Sequence, residues 1–195
     1  MKKRFALILG GPHAGATRLY GRLRLHPQIL GCRVMEPNFF SDDRKWALGV
    51  DWYRSLWDFR EPDERIAIEA SSAYARHPLV PCPASRVAQT PAGFRFVYLL
   101  RDPVERVAAW HAARVAEGVT EPARELRDLE TELVACRYAG QLAAWRAHFA
   151  AEDFLRVAAE EWSESPGPLL DRVCRFLELD DGFAFPDASP SALGH

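Results

Sequence analysis

Apolar residues along the chain fall into short continuous runs, separated by stretches in which they recur at helical spacing. Residues 4–10 form an apolar run closed by Gly10 and Gly11, which predicts a strand buried on both faces. Residues 16–25 follow with Leu19, Tyr20 and Leu23 on one helical side. His26-Pro27 ends that helix, because the residue before proline avoids the α region. Residues 31–40 are mixed and read as a strand entering a loop at Glu36-Pro37, and 50–57 as a short amphipathic helix. Residues 65–70 form a second apolar run. Pro78, Pro81 and Pro83 mark a turn ahead of a short helix over 84–89. The clearest strand is FRFVYLL over 94–100, continuous, aromatic and β-branched. A helix is predicted over 103–117, with Pro103 at a tolerated first-turn position. After a break at 118–122, one long helix is predicted over 123–150, a last strand over 154–158 and a final helix over 169–177. Residues 180–195 form a tail rich in Pro, Gly and Ser.

Strands thus alternate with helices, which predicts an α/β fold with a parallel sheet flanked by helices on both faces. Ligands of such sheets sit at the carboxyl ends of the strands. At 195 residues the chain fits one domain over 1–195. Its 48% hydrophobic and 11% aromatic content excludes disorder throughout. The N-terminal apolar stretch over 5–9 is too short for the core of a signal peptide. No run approaches the roughly 18–20 residues of a membrane helix. A formal net charge of -2 gives no sign of a nucleic-acid partner. Cys32, Cys82, Cys136 and Cys174 lie far apart with no CxxC pair, so neither a zinc site nor a redox motif is expected. Reduced thiols and a cytoplasmic location follow as expectations. Among the basic residues only Lys2, Lys3 and Lys45 are lysines. Arginine is the better bidentate partner for phosphate and sulfate, although GC-rich coding produces the same skew.

Candidate chemistry begins at Gly10-Gly11-Pro12-His13-Ala14-Gly15-Ala16-Thr17, between the first strand and the first helix. Glycines let backbone N–H groups converge on an anion, and the helix N-terminus adds a favourable dipole. Gly10, Gly15 and Thr17 fit the spacing of the P-loop motif G-x-x-x-x-G-K-[ST]. Ala16 stands at the lysine position, which counts against an ATPase or kinase. A turn without ligand is the other reading. Phe39, Phe40, Trp46, Trp52, Tyr53 and Trp57 cluster between this loop and the 65–70 strand, either as core or as the lining of an apolar pocket.

The segment GPHAGATRLYGRLRLHPQI over 11–29 resembles the opening of the sulfotransferase family, in its bacterial and heparan-sulfate-type branch. Members there open with G-P-x-K-A-G-T-T-x-L-Y and a helix ending in H-P. Glu36-Pro37-Asn38-Phe39-Phe40 is similar to that family's K-E-P-x-F-F, and Gly49-Val50-Asp51-Trp52-Tyr53 to its G-x-x-W-Y. Residues 69–74, EASSAY, resemble E-x-S-x-x-Y, and residues 98–106, YLLRDPVER, resemble Y-L-L-R-D-P-x-x-R. Tyr138, Gln141 and Trp145 match a later helix pattern. Six matches in the right order cover roughly residues 5–180.

The resemblance implies a P-loop-type sheet and transfer of a sulfonyl group from 3'-phosphoadenosine 5'-phosphosulfate (PAPS) to a hydroxyl or amine of a small-molecule acceptor. It implies that Pro12, Ala14, Gly15, Ala16 and Thr17 hold the 5'-phosphosulfate, with Arg101 on the 3'-phosphate of PAPS or its product PAP. Glu36 is the implied general base, and Glu69 a lining or positioning residue with Phe39 and Trp52 on the acceptor side. Arg106 reads as a helix-surface or ion-pair residue. No metal is implied.

Several positions depart from the family pattern and describe a degenerate donor site. His13 stands for the loop lysine, and a histidine carries the same charge only when protonated. Ala16 replaces the first loop threonine, and Ala109 replaces a serine expected eight residues after Arg101. Residues 186–195 contain no Arg or Lys where family members continue into a basic, nucleotide-closing loop. A second reading follows: a sulfotransferase-fold protein that has lost PAPS chemistry and performs another acid/base reaction, such as cyclisation or elimination, or only binds. A nucleotide-binding, kinase-like protein is the third. Oligomeric state is open.

Overall fold

Alternation within the first strand already places two cores. In β1 (Arg4–Leu9), Phe5, Leu7 and Leu9 face one hydrophobic layer while Ala6 and Ile8 face the other, and all five are buried. A strand covered on both sides needs helices on both sides. The computed structural model describes residues 4–59, 65–80, 83–118, 122–164, 166–180 and 182–186. Their elements run β1, α1 (Ala16–Leu23), β2 (Ile29–Gly31), α2 (Asp43–Trp46), α3 (Gly49–Arg54) and β3 (Ile66–Ala70). A 3-10 turn (Ser72–Ala75) and α4 (Pro83–Gln89) follow. Next come β4 (Gly93–Leu100), α5 (Pro103–Ala116), α6 (Pro122–Val134), α7 (Tyr138–Arg146), β5 (Phe154–Ala158), α8 (Glu161–Glu164) and α9 (Pro166–Phe176).

Among the described residues the strands form one sheet in the order β2-β3-β1-β4-β5, and every neighbouring pair is parallel. The expected α/β architecture is therefore present. Leu19, Tyr20 and Leu23 of α1 and Leu169, Leu170 and Val173 of α9 cover one face. Tyr53 of α3, Val87 of α4 and Trp145 of α7 cover the other. From β1 the chain moves out to β2 and β3 on one side, then crosses to β4 and β5 on the other. The carboxyl end of β1 is thus a topological switch point, where open α/β sheets bind ligands.

Several elements differ from the sequence reading. The helix expected over 50–57 is Gly49–Arg54, the one expected over 16–25 ends at Leu23, and the short helices α2 and α8 have no counterpart in that reading. The expected strand over 31–40 is Ile29–Gly31, ahead of an irregular segment. The helix expected over 123–150 is two helices, α6 and α7. Gln141 Nε2 donates to Ala135 O at 2.8 Å, satisfying a carbonyl at the end of α6. Cys136 N and Arg137 N close the end through i→i−3 bonds to Leu133 O and Val134 O. The junction residues Ala135, Cys136 and Arg137 include no Pro or Gly, so no local breaker marks it in the sequence. The final helix begins at Pro166 rather than 169. Pro81, Cys82, residues 119–121 of the break expected over 118–122, and residues 181 and 187–195 of the tail expected over 180–195 lie outside the described residues.

The aromatic cluster is core. Phe39, Phe40, Tyr53 and Trp57 are buried, and Trp46 and Trp52 pack partly exposed against them. Phe39 stacks on Tyr53 at 4.7 Å and on Trp52 at 5.8 Å. Among the described residues, none of these rings lines the cavity at the carboxyl edge of the sheet.

Candidate active site

Gly11 and Gly15 make the loop after β1 possible, for different reasons. A Cβ on Gly11 would lie 2.8 Å from Nη2 of Arg106. Gly15 has φ 91, the left-handed region that glycine enters without strain, and it is the N-cap of α1. No side chain caps this helix. The N–H groups of Ala16, Thr17 and Arg18, in its first turn, have no intrahelical acceptor by geometry. Together with the helix dipole they form an anion-binding end.

These groups open on a cavity of about 820 Å³ at the carboxyl edge of the sheet. Every loop residue from Gly10 to Leu19 lines it, with Glu36, Ser72, Leu99, Arg101, Glu105 and Ala109. Residues 157–160, Trp162 and Leu169 complete it. The structure therefore brings Pro12, His13, Ala14, Gly15, Ala16, Thr17, Arg101 and Glu36 to one cavity. It does not bring Glu69, Phe39 or Trp52 there.

Two arginines hold the loop from below. Arg101 Nη1 donates to His13 O at 2.8 Å, and its Nη2 lies 4.0 Å from Glu105. Arg106 Nε donates to Pro12 O at 3.0 Å, and its Nη2 donates to Glu132 at 2.7 Å. Arg106 is only 1% exposed, so it is an ion-pair residue but not a surface one. The available signal was its spacing: Arg106 and Trp110, four residues apart, form the buried stripe of α5. Asp102 caps α5 by accepting from Val104 N and Glu105 N, and that oxygen is thereby committed to structure.

His13 is exposed, with φ 64. Its pKa lies below the ordinary 6.5, mainly because partial desolvation disfavours the cation. Glu132 and Glu117 oppose this, and the Arg106 and Arg101 guanidiniums reinforce it. The imidazole is therefore mostly neutral at pH 7, and a bound polyanion would favour its protonation. By linkage, affinity for PAP is expected to rise as pH falls from 8 to 6.5, and His13→Lys is expected to flatten that dependence. Calorimetric titrations across this range check it; a pH dependence that survives in His13→Lys takes His13 out of the anion site.

Glu36 precedes Pro37, which disfavours the right-handed helical region, and it takes φ 45; Asn38 takes φ 53. Hydrogen bonds hold this kinked segment. Asn38 Nδ2 donates to Glu36 O at 3.0 Å, Lys45 Nζ to Pro37 O at 2.6 Å, and Asn38 N to Ser71 Oγ at 3.0 Å. The Glu36 carboxylate is exposed and accepts from Ser72 Oγ at 3.0 Å. Ser72, in the EASSAY segment over 69–74, lines the cavity as well, a role that segment's pattern does not single out.

Glu69 lies beneath this segment, 1% exposed. Tyr53 Oη and Tyr74 Oη donate to its Oε1 at 2.8 and 3.1 Å, and Ser71 Oγ to its Oε2 at 2.7 Å. Burial pushes its pKa up to about 7, against the lowering effect of these three donors. Among the described residues no group of three or more His, Cys, Asp or Glu is placed to hold a metal ion. No helix among them is long and apolar enough to cross a membrane.

No protein-family model matches the chain. It is 28% identical over 189 residues to mouse heparan sulfate glucosamine 3-O-sulfotransferase 5, an alignment covering 89% of this chain and 53% of that protein. The chain spans about half the length of the curated relatives it matches. A solved sulfotransferase from Alicyclobacillus acidocaldarius superposes with a TM-score of 0.79 at 22% identity, covering 98% of this chain and 88% of that one. A mouse sulfotransferase solved with PAP superposes with a TM-score of 0.55 at 18% identity, covering 92% and 60%. The fold is that of the sulfotransferases, and the distant sequence similarity supports the chain's place in the sulfotransferase superfamily.

Proposed function

We propose that this chain is a PAPS-dependent sulfotransferase that transfers a sulfonyl group to a hydroxyl or amine of a small-molecule acceptor. The observation that carries the reading is the uncapped N-terminus of α1, opening with Gly15 onto the cavity that Glu36 also lines. The donor set fits a sulfated nucleotide: three first-turn N–H groups, the Thr17 hydroxyl and Arg101 border one space. When bound, PAPS supplies the sulfonyl group at its phosphosulfate end. The loop N–H groups bind and orient that anionic end, and Arg101 takes the 3'-phosphate. Glu36, exposed and held by Ser72, takes the proton of the attacking hydroxyl or amine. The protein does little covalent work in such a transfer; position and charge stabilisation dominate, as in phosphoryl transfer.

Two observations favour the second reading, a sulfotransferase fold put to donor-free acid/base chemistry or to binding. Arg101 is already bonded to His13 O, and Ala109 offers no hydroxyl to the cavity. Calorimetric titration with PAP separates the two. On the sulfotransferase reading the wild type binds at about micromolar levels. Arg101→Ala then weakens binding about tenfold or more, since a charge-assisted bond contributes about 1.5–3 kcal/mol. Ala109→Ser holds or improves affinity. A wild type that binds no PAP while remaining folded sinks the donor assignment and leaves the second reading.

A further inference from the structure

Glu132 touches neither wall of the cavity, yet it is connected to both. Its carboxylate is 6% exposed and makes two ion pairs with different parts of the site. Oε2 accepts from Arg106 Nη2 at 2.7 Å, and Arg106 in turn donates to Pro12 O and packs against Gly11. Oε1 accepts from Arg76 Nη2 at 2.9 Å. Arg76 ends the 3-10 turn whose first residue, Ser72, lines the cavity and donates to Glu36. One carboxylate on α6 therefore anchors the loop below α1 and the segment that orients Glu36.

A buried carboxylate is costly to leave unpaired, so Glu132 is held in place by the two guanidiniums and each restrains its contact with the other. With Arg76 removed, the Glu132 side chain loses one of its two restraints and holds Arg106 less firmly. We propose that Glu132 is a positioning residue that fixes the anion-binding loop and the Glu36–Ser72 wall relative to each other, by clamping Arg106 and Arg76 with one carboxylate. The ligand arm of this inference rests on the sulfotransferase reading above; its exchange arm does not. The coupling also gives α6 a role in the site that its distance from the cavity hides.

The test is amide hydrogen exchange by mass spectrometry on the full chain, following the peptides over 11–17, 71–76 and 93–100. In Glu132→Gln, exchange at 11–17 and at 71–76 is expected to accelerate about tenfold or more, while 93–100 in β4 stays protected. Arg76 bonds to Glu132 and does not line the cavity, yet Arg76→Met is expected to accelerate exchange at 11–17 about threefold or more; this variant decides the matter if Glu132→Gln fails to fold. PAP added to the wild type is expected to slow exchange at 71–76 as well as at 11–17, and in Arg76→Met only at 11–17. Response of 71–76 alone in Arg76→Met, or of neither segment in Glu132→Gln, overturns the coupling. A wild type whose exchange PAP leaves unchanged counts against the nucleotide reading, and the two variants still decide the role of Glu132 without ligand.

Discussion

Glu36→Gln is expected to slow turnover by about 10²–10⁴-fold, the usual contribution of a positioned general base. The amide keeps the size of the side chain and can still accept from Ser72 Oγ, so the kinked 36–38 segment stays in place. What it lacks is a carboxylate to take a proton. Affinity for PAP and the melting temperature are therefore expected to stay near wild type, because Glu36 is exposed and makes no bond to the loop from 10 to 17. The measurement is release of PAP from PAPS against a panel of alcohol, phenol and amine acceptors. Full activity in Glu36→Gln removes Glu36 as the base. Turnover that occurs without any nucleotide, and still falls in the variant, assigns Glu36 to donor-free acid/base chemistry. Glu69 does not inherit the role in either case, since it is buried among three hydroxyls and does not line the cavity.

The parts of the site legible in the sequence are those carried by local chemistry. A strand, a glycine-rich turn and a helix in succession locate the loop, because each has its own hydrophobic period and turn residues. Glu36-Pro37 was recognisable because proline limits the residue before it, although the left-handed φ at Glu36 depends on bonds from Asn38 and Lys45 that no local pattern encodes. The rest depends on contacts between residues distant in sequence. Arg106 meets Pro12 across 94 positions and Glu132 across 26. Nothing near Arg106 distinguishes it from the surface arginines, apart from its place on the Trp110 stripe. The aromatic cluster shows the opposite problem: core and pocket have the same composition, and only the stacking of Phe39, Tyr53 and Trp52 decides for core. Glu69 reads as a lining carboxylate for a similar reason. Its β3 neighbours Ile68 and Ala70 face one layer, while Glu69 itself points to the other with Tyr53 and Tyr74.

That placement makes Glu69 the residue whose loss is expected to cost the fold most. Glu69→Ala strands the hydroxyls of Tyr53, Tyr74 and Ser71 in the core and leaves a void beside them. Unpaired buried donors and a cavity together are expected to cost about 3–5 kcal/mol, or about 10 °C or more in melting temperature for a chain of this size. Glu69→Gln separates packing from charge. The folded-state pKa is about 7, above the ordinary 4.5, so between these values the folded protein holds a proton that the unfolded chain has released. The stability from this proton is fully present below pH 4.5 and is lost as pH rises through 7, by about 3 kcal/mol in total. A glutamine does not titrate, and its oxygen can still accept from both tyrosines while its amide donates to Ser71 Oγ. The stability of Glu69→Gln relative to wild type is therefore expected to improve by about 3 kcal/mol between pH 4.5 and pH 9, read from paired urea or thermal unfolding curves. A difference that stays flat across that range means the carboxylate ionises as freely in the core as in water. The three hydroxyl donors would then have offset its burial entirely, and the raised pKa would be wrong. A difference that grows as expected makes the segment carrying Asn38 and Glu36 rest, through Ser71, on a carboxyl group that changes charge near neutral pH.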